Sequence, residues 1–149
     1  MMKRTCLPFL LLALSTAGSA HAGPYSDDLG KCLVASTTAA DKGALVKWMF
    51  ATAALHPAVK SVASVTPAER SGFNRDTARL FERLVTESCK AQTQQALKYE
   101  GAVALQVAFQ LLGQVAAREL FSDPAVAGGM ADLEKHFDKQ KLEAAFAAP

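Results

Sequence analysis

The side chains that could do chemistry are few, and they are scattered along the chain. Outside the first residues there are two histidines. His56 stands before Pro57, where an imidazole serves as a helix-end cap or a surface group. His136 lies among Glu134, Lys135 and Asp138 on a charged stretch. Neither belongs to an H-E-x-x-H motif, and no G-x-S-x-G, phosphate loop or dinucleotide fingerprint occurs. Cys32 and Cys89 could in principle be a redox dithiol, a nucleophile or metal ligands. There is no C-x-x-C, and a Cys2His2 site with His56 and His136 lacks the close ligand spacing such sites use. Asp27, Asp28 and Glu100 are the remaining candidates for an acidic site, although acids at a helix start are also what the helix dipole favours. No catalytic, cofactor-binding or metal-binding residue is assigned and no cofactor is expected. The reading leans away from an enzyme, with an unrecognised acidic site kept as an alternative.

The N-terminus sets the compartment. Lys3 and Arg4 precede a short apolar run, CLPFLLLALSTA, and Ala20-His21-Ala22 gives an A-x-A cleavage signal. This reads as a secretory signal peptide, residues 1–22, cut after Ala22. The run is too short to span a bilayer comfortably. Cys6 lies inside it, well before the cut. Removing 22 of 149 residues leaves a 127-residue chain, enough for one domain with a real core. The full chain has 16 Lys and Arg against 14 Asp and Glu. Two of the cations leave with the signal, so the mature chain carries no formal net charge. That argues against nucleic acid as a partner. In an exported protein an isolated cysteine pair forms a disulfide. Cys32–Cys89 would close a loop of 58 residues, worth roughly 4 kcal/mol in the loop-entropy model.

The elements that must position these residues all read as helices. YSDDLGKCLVAS, 25–36, is a short helix with Ser26 as its cap and Leu29, Cys32 and Leu33 on one face. Thr38 and Asp41 form a capping box for a second helix over 39–55. Pro57 ends it. Val59, Val62 and Val65 suggest a turn lying over the core. Thr66-Pro67-Ala68-Glu69 joins an N-cap, Pro at N1 and an N3 glutamate, the strongest local signal in the chain. A long third helix to about Tyr99 should follow, burying Phe73, Thr77, Leu80, Phe81, Leu84, Ser88 and Cys89, with a bend over the polar 91–96 (AQTQQA) and a break at Glu100-Gly101 before the next helix. Arg75, Arg79 and Arg83 stripe its outer face. Acidic neighbours make that stripe a salt-bridged surface, with Arg79–Glu82 and Arg83–Glu87 as pairs.

Residues 102–121 (AVALQVAFQLLGQVAARELF) form the central helix, apolar on most faces. Gln106, Gln110, Gln114 and Arg118 make one polar edge that faces water. Asp123 and Pro124 start a last helix, in which Val126, Met130, Leu133 and Phe137 recur at four, three and four, as a bundle seam does. Gly128-Gly129 either weakens its first turns or admits another helix closely. The expected fold is therefore all-α: a compact bundle of about four main helices plus a short N-terminal one, with one disulfide, in a single domain over 23–149.

The segments 25–38 (YSDDLGKCLVASTT), Leu55-His56-Pro57 and Tyr99-Glu100-Gly101 resemble small exported helical proteins of Gram-negative bacteria with no assigned activity. The resemblance implies a periplasmic, disulfide-linked helical domain and carries over no functional residue. The expected function is a periplasmic or secreted, non-enzymatic binding protein. Its partner would be another envelope protein or a second copy of itself. The alternative is a carrier of a small hydrophobic ligand between helices. Trp48, Phe50, Phe109, Leu112 and Phe121 are the candidate interaction surface. Membrane crossing by the mature chain is not expected, because the polar edge of 102–121 would be costly in lipid.

Overall fold

The computed structural model describes residues 23–147; the signal peptide expected over 1–22 lies outside them. Among the described residues the elements are all helical. They run α1 (Pro24–Ala35), α2 (Ala39–Ala53), α3 (Pro67–Arg83), a π-turn (Leu84–Ser88), α4 (Lys90–Glu100), α5 (Val103–Ser122), α6 (Pro124–Ala131), a 3-10 turn (Asp132–His136) and α7 (Lys139–Phe146). The all-α class is as expected. The count differs because the long third helix is broken over 84–88, ahead of the bend expected over 91–96, and the last helix is broken after Ala131.

The first break is the π-turn. Buried residues fall at Thr77, Leu80 and Leu84, then at Cys89, Thr93 and Ala96. The step from Leu84 to Cys89 is five residues, one more than an α-helix needs to return to the same face. The chain absorbs the extra residue with a Cys89 N–H to Leu84 C=O bond of 2.8 Å, the i to i−5 bond of a π-turn. Cys89 thereby points inward, while Ser88, expected on the buried face, is exposed. The second break follows Ala131. Val126, Met130, Leu133 and Phe137 do not form a bundle seam: only Val126 is even half-buried. The space around Gly128 and Gly129 is open, so neither admits another helix closely.

Both expected capping boxes form, at Thr38–Asp41 and Thr66–Glu69. Asp123 caps α6 by accepting from the Ala125 and Val126 amides, with Pro124 at N1. Gly101 closes α4 and turns the chain into α5 at φ 74°, a conformation that favours glycine. Residues 54–62 are turns, as expected; Val59 and Val65 are half-buried and Val62 is exposed.

The core joins Leu29 and Leu33 of α1, Leu45 of α2, Leu80 of α3, Leu84, Cys89, Ala96 of α4, and Ala104, Ala108, Leu112 and Ala116 of α5. The buried residues of α5 recur every fourth position and three of the four are alanine. That ridge lets α1 lie close against it. A Cβ on buried Gly30 would come 2.9 Å from Leu111 Cδ2 and 3.7 Å from Ala108 Cα. The central-helix reading of α5 therefore holds, with α1, α2 and α4 packed on it. Gln106, Gln110, Gln114 and Arg118 are exposed along its outer edge. Ion pairs join the layers at Asp41–Arg83, 2.8 Å, and Lys42–Glu119, 3.6 Å. Arg83 thus reaches across to α2 instead of pairing with Glu87 on its own helix.

A disulfide links Cys32 and Cys89, with their Cα atoms 5.9 Å apart. It ties the end of α1 to the start of α4. Reduction releases the loop it closes, so the melting temperature in a strong reductant should fall by about 10 °C or more. A thermal melt followed by far-ultraviolet circular dichroism checks this; an unchanged midpoint would contradict it.

Candidate functional site

Glu100 is the last residue of α4, and its carboxylate closes over the first turn of α1. Oε1 accepts from the Tyr25 amide at 2.9 Å and Oε2 from the Ser26 amide at 2.9 Å. The Ser26 hydroxyl, itself buried, also donates to Oε2. A helix begins with backbone N–H groups that have no partner within it. In α1 the first helical residue is Pro24, which has no N–H, and Glu100 takes the next two. Asp27 N–H then makes the first helical bond, to Gly23 C=O, at 3.0 Å. Ser26, expected as the cap, is instead the third residue of the helix, and Gly23 takes the cap position with no side chain to offer.

The same corner is braced by aromatic stacking. The Tyr25 and Tyr99 rings lie 4.6 Å apart and nearly parallel, and Lys98 Nζ sits 5.0 Å from the Tyr99 ring centre. The Ser26 hydroxyl bond is the main cause holding the Glu100 carboxyl below the usual glutamate range. Partial burial opposes it, and the Tyr25 and Ser26 amides reinforce it. A carboxylate so committed is a poor base. Asp27 and Asp28 are exposed on the next residues of α1, with Asp28 3.4 Å from Lys31 Nζ. The three acids proposed for an acidic site therefore share no role. Among the described residues no group of three or more His, Cys, Asp or Glu side chains is placed to hold a metal ion.

A second ionic corner lies at the start of α2. Burial pushes the Asp41 carboxyl up, but the Thr38 amide and hydroxyl and the Arg83 guanidinium outweigh it and leave it lowered. His56 is exposed, and its Nδ1 accepts from the Ala58 amide at 3.2 Å. It caps the turn after α2.

The five residues read as an interaction surface fall into separate environments. Leu112 is inside the core and unavailable to a partner. Phe109 is half-buried against Phe81, with ring centres 4.6 Å apart, and Trp48 meets Phe81 edge-on. The Trp48 indole N–H donates to Asn74 Oδ1 at 3.1 Å. Phe50 and Phe121 are the two that reach solvent substantially. Phe50 shares a shallow groove with Val65 and Phe73. A larger groove of about 590 Å³ runs between α2 and the α5–α6 corner, over Gly43, Val46, Leu120 and Val126, with Glu119 and Asp123 at its polar side.

Several large apolar side chains are exposed further along. Every residue over 127–147 is exposed, and α7 packs on no other element. Met130 is 58% exposed, Leu133 60%, Phe137 50% and Phe146 81%. These residues form an arm projecting from the end of α5. The sequence pattern marks them as apolar at helical spacing, and that spacing carries no information about whether the covering partner lies in the same chain.

No protein-family model matches this chain, and no curated protein or solved structure matches it either.

The Glu100 contacts predict an acid-side loss of stability. The folded-state pKa of Glu100 is lowered, so the stability it contributes is fully present above the unfolded glutamate value of about 4.3. It is lost as pH falls through the folded value. Glu100→Gln should lower the melting temperature at pH 7 and flatten its fall below about pH 5. Parallel melts from pH 7 to pH 3 test this; a variant curve with the wild-type slope would contradict it. Gly23→Ala should also destabilise, because its Cβ would overlap the Glu100 carboxylate.

Proposed function

We propose that this is an exported, non-enzymatic interaction protein that pairs through its C-terminal arm with a second copy of itself. The observation that carries the reading is the arm: a run of helix and turn with large apolar side chains and no cover from its own bundle. Exposed apolar surface of that extent marks an interaction site. Phe121, Met130, Leu133, Phe137, Leu142 and Phe146 each expose on the order of 100 Å². Together that is of the same order as the roughly 800 Å² each partner contributes to a standard interface.

The charges favour a second arm as the cover. The half over 123–134 holds Asp123, Asp132 and Glu134 and no cation. The half over 135–147 holds Lys135, Lys139 and Lys141 against Asp138 and Glu143. Two arms packed antiparallel set the acidic half of each against the lysine-bearing half of the other, the self-complementary arrangement of a two-fold interface.

Export rests on the signal peptide pattern with cleavage after Ala22. The disulfide is compatible with an oxidising compartment. No helix among the described residues is long and apolar enough to cross a membrane. The likeness to small exported proteins of Gram-negative bacteria belongs to the same proposal. A second reading, a carrier of a small hydrophobic ligand, is favoured by the groove between α2 and the α5–α6 corner. Its volume falls in the range of small-molecule sites.

Light scattering coupled to size exclusion, on the oxidised chain over 23–149 at about 50 µM, should give the mass of a dimer. Leu133→Lys with Phe137→Lys should give a monomer that keeps the wild-type helix content, since both residues lie outside the core, and that melts lower only by what the lost pairing contributed. A wild-type monomer at that concentration would contradict self-pairing. Native mass spectrometry of the gently purified protein tests the carrier reading, which an empty protein without a shift on lipid addition would sink.

A further inference from the structure

We propose that Glu100 is the receptor for the chain's own new end: the α-ammonium group that cleavage after Ala22 creates on Gly23. The inference rests on that cleavage, and not on the arm or its partner.

Three observations converge on the same atoms. The first is the count of donors at the start of α1. Of the four backbone N–H positions that a helix start leaves without internal partners, Pro24 has none to give. Glu100 accepts those of Tyr25 and Ser26. The fourth position is Gly23. The second is the place of Gly23. A Cβ built there would overlap the Glu100 carboxyl group, with Oε1, Cδ and Oε2 its nearest atoms. The Gly23 nitrogen is bonded to the same Cα, about 2.5 Å from that Cβ position, which keeps it within about 5 Å of the carboxylate and in reach of it once it is a free amine. The φ of Gly23 is −81°, which any residue adopts. A side chain here would push the Glu100 carboxyl aside from its place over α1. The third is electrostatic. A positive charge at a helix N-terminus opposes the helix dipole, so a free ammonium at the cap position costs stability unless an anion meets it. Glu100 is that anion.

The covalent step is hydrolysis of the Ala22–Gly23 amide, catalysed by the export machinery's peptidase. Water adds across the C–N bond, leaving a carboxylate on Ala22 and an amine on Gly23. The amine takes up a proton at neutral pH. Before cleavage the Gly23 nitrogen is a neutral amide with one N–H. Afterwards it is a cation with three N–H groups, so a full ion pair with the Glu100 carboxylate becomes available where only an amide stood before. Removing the leader therefore tightens the α1–α4 corner, and the mature chain is more stable than its precursor. The other charges around the corner are Asp27 on α1 and Lys98 on α4, beside the Tyr25 and Tyr99 rings. Processing alters none of them.

The test compares three chains: one beginning with a free Gly23 amine, the same chain acetylated on that amine, and one that retains Ala22. At pH 7 the free-amine chain should melt about 3 °C or more above the other two, a shift typical of one charged contact in a domain of this size. The gap should vanish in Glu100→Gln and persist in Ser26→Ala, which keeps the carboxylate. The amine of the wild-type chain should titrate above the usual range of about 7.7 to 8.0, and return to it in Glu100→Gln. This second readout uses the wild-type fold and stands even if the variant folds poorly. Equal melting of free and acetylated chains, or an ordinary amine titration in the wild type, would overturn the pairing. Intact mass of the exported protein should place its first residue at Gly23. A different first residue would overturn the processing step, while the melts on the chain begun at Gly23 still report separately on the Glu100 contact.

Discussion

Helix α1 is pinned at both ends by one neighbour. Its C-terminal end is bonded through Cys32 to Cys89, the residue just before α4, and its N-terminal turn is capped by Glu100, the last residue of α4. The two helices run antiparallel, with a covalent link at one end and a carboxylate on two amides and a hydroxyl at the other. A helix of 12 residues is marginal alone in water. Fixing both ends removes the fraying that would otherwise cost it order. Leu29 and Leu33 are then presented to the alanine ridge of α5, and Gly30 lets the helices close without a gap. The π-turn belongs to the same constraint, since without its extra residue Ser88 rather than Cys89 would face α1.

The core built this way uses leucine and alanine, with its aromatics at the margin. Phe81, Phe109 and Trp48 are half-buried and cover its flank. That economy leaves the last part of the chain without a seat. The alanine ridge of α5 is occupied by α1, and the outer edge carries glutamines. The arm therefore leaves the bundle at Asp123 with its own apolar side chains uncovered. The division is physical: the α1–α4 corner holds the domain, and the arm lies outside its core.

Much of this was legible in the residues. Both capping boxes, the Asp123-Pro124 start and the Gly101 stop are local hydrogen-bond and backbone signals, so they read directly from sequence. The central helix was legible from its single polar edge, and the cysteine pairing from there being just two cysteines beyond the leader-like first residues. The π-turn was harder. Its only trace is the five-residue step from Leu84 to Cys89 between two regular stretches, and Ser88 offers a small side chain that fits either face. Glu100 beside Gly101 read as a helix end, and nothing local told that its carboxylate would reach back 75 residues to the start of α1. Met130, Leu133 and Phe137 read as a bundle seam because spacing fixes which face is apolar and not which chain covers it. For the same reason Leu112 read as a candidate surface residue, though it lies in the core.

The double pinning of α1 is open to one direct measurement, residue-resolved amide hydrogen exchange in the oxidised wild type and in Glu100→Gln. If the corner works as described, the Tyr25, Ser26 and Asp27 amides exchange at least tenfold faster in the variant, while those near Cys32 keep their protection through the disulfide. Uniform exchange along α1, or wild-type protection of Tyr25 and Ser26 in the variant, would contradict it.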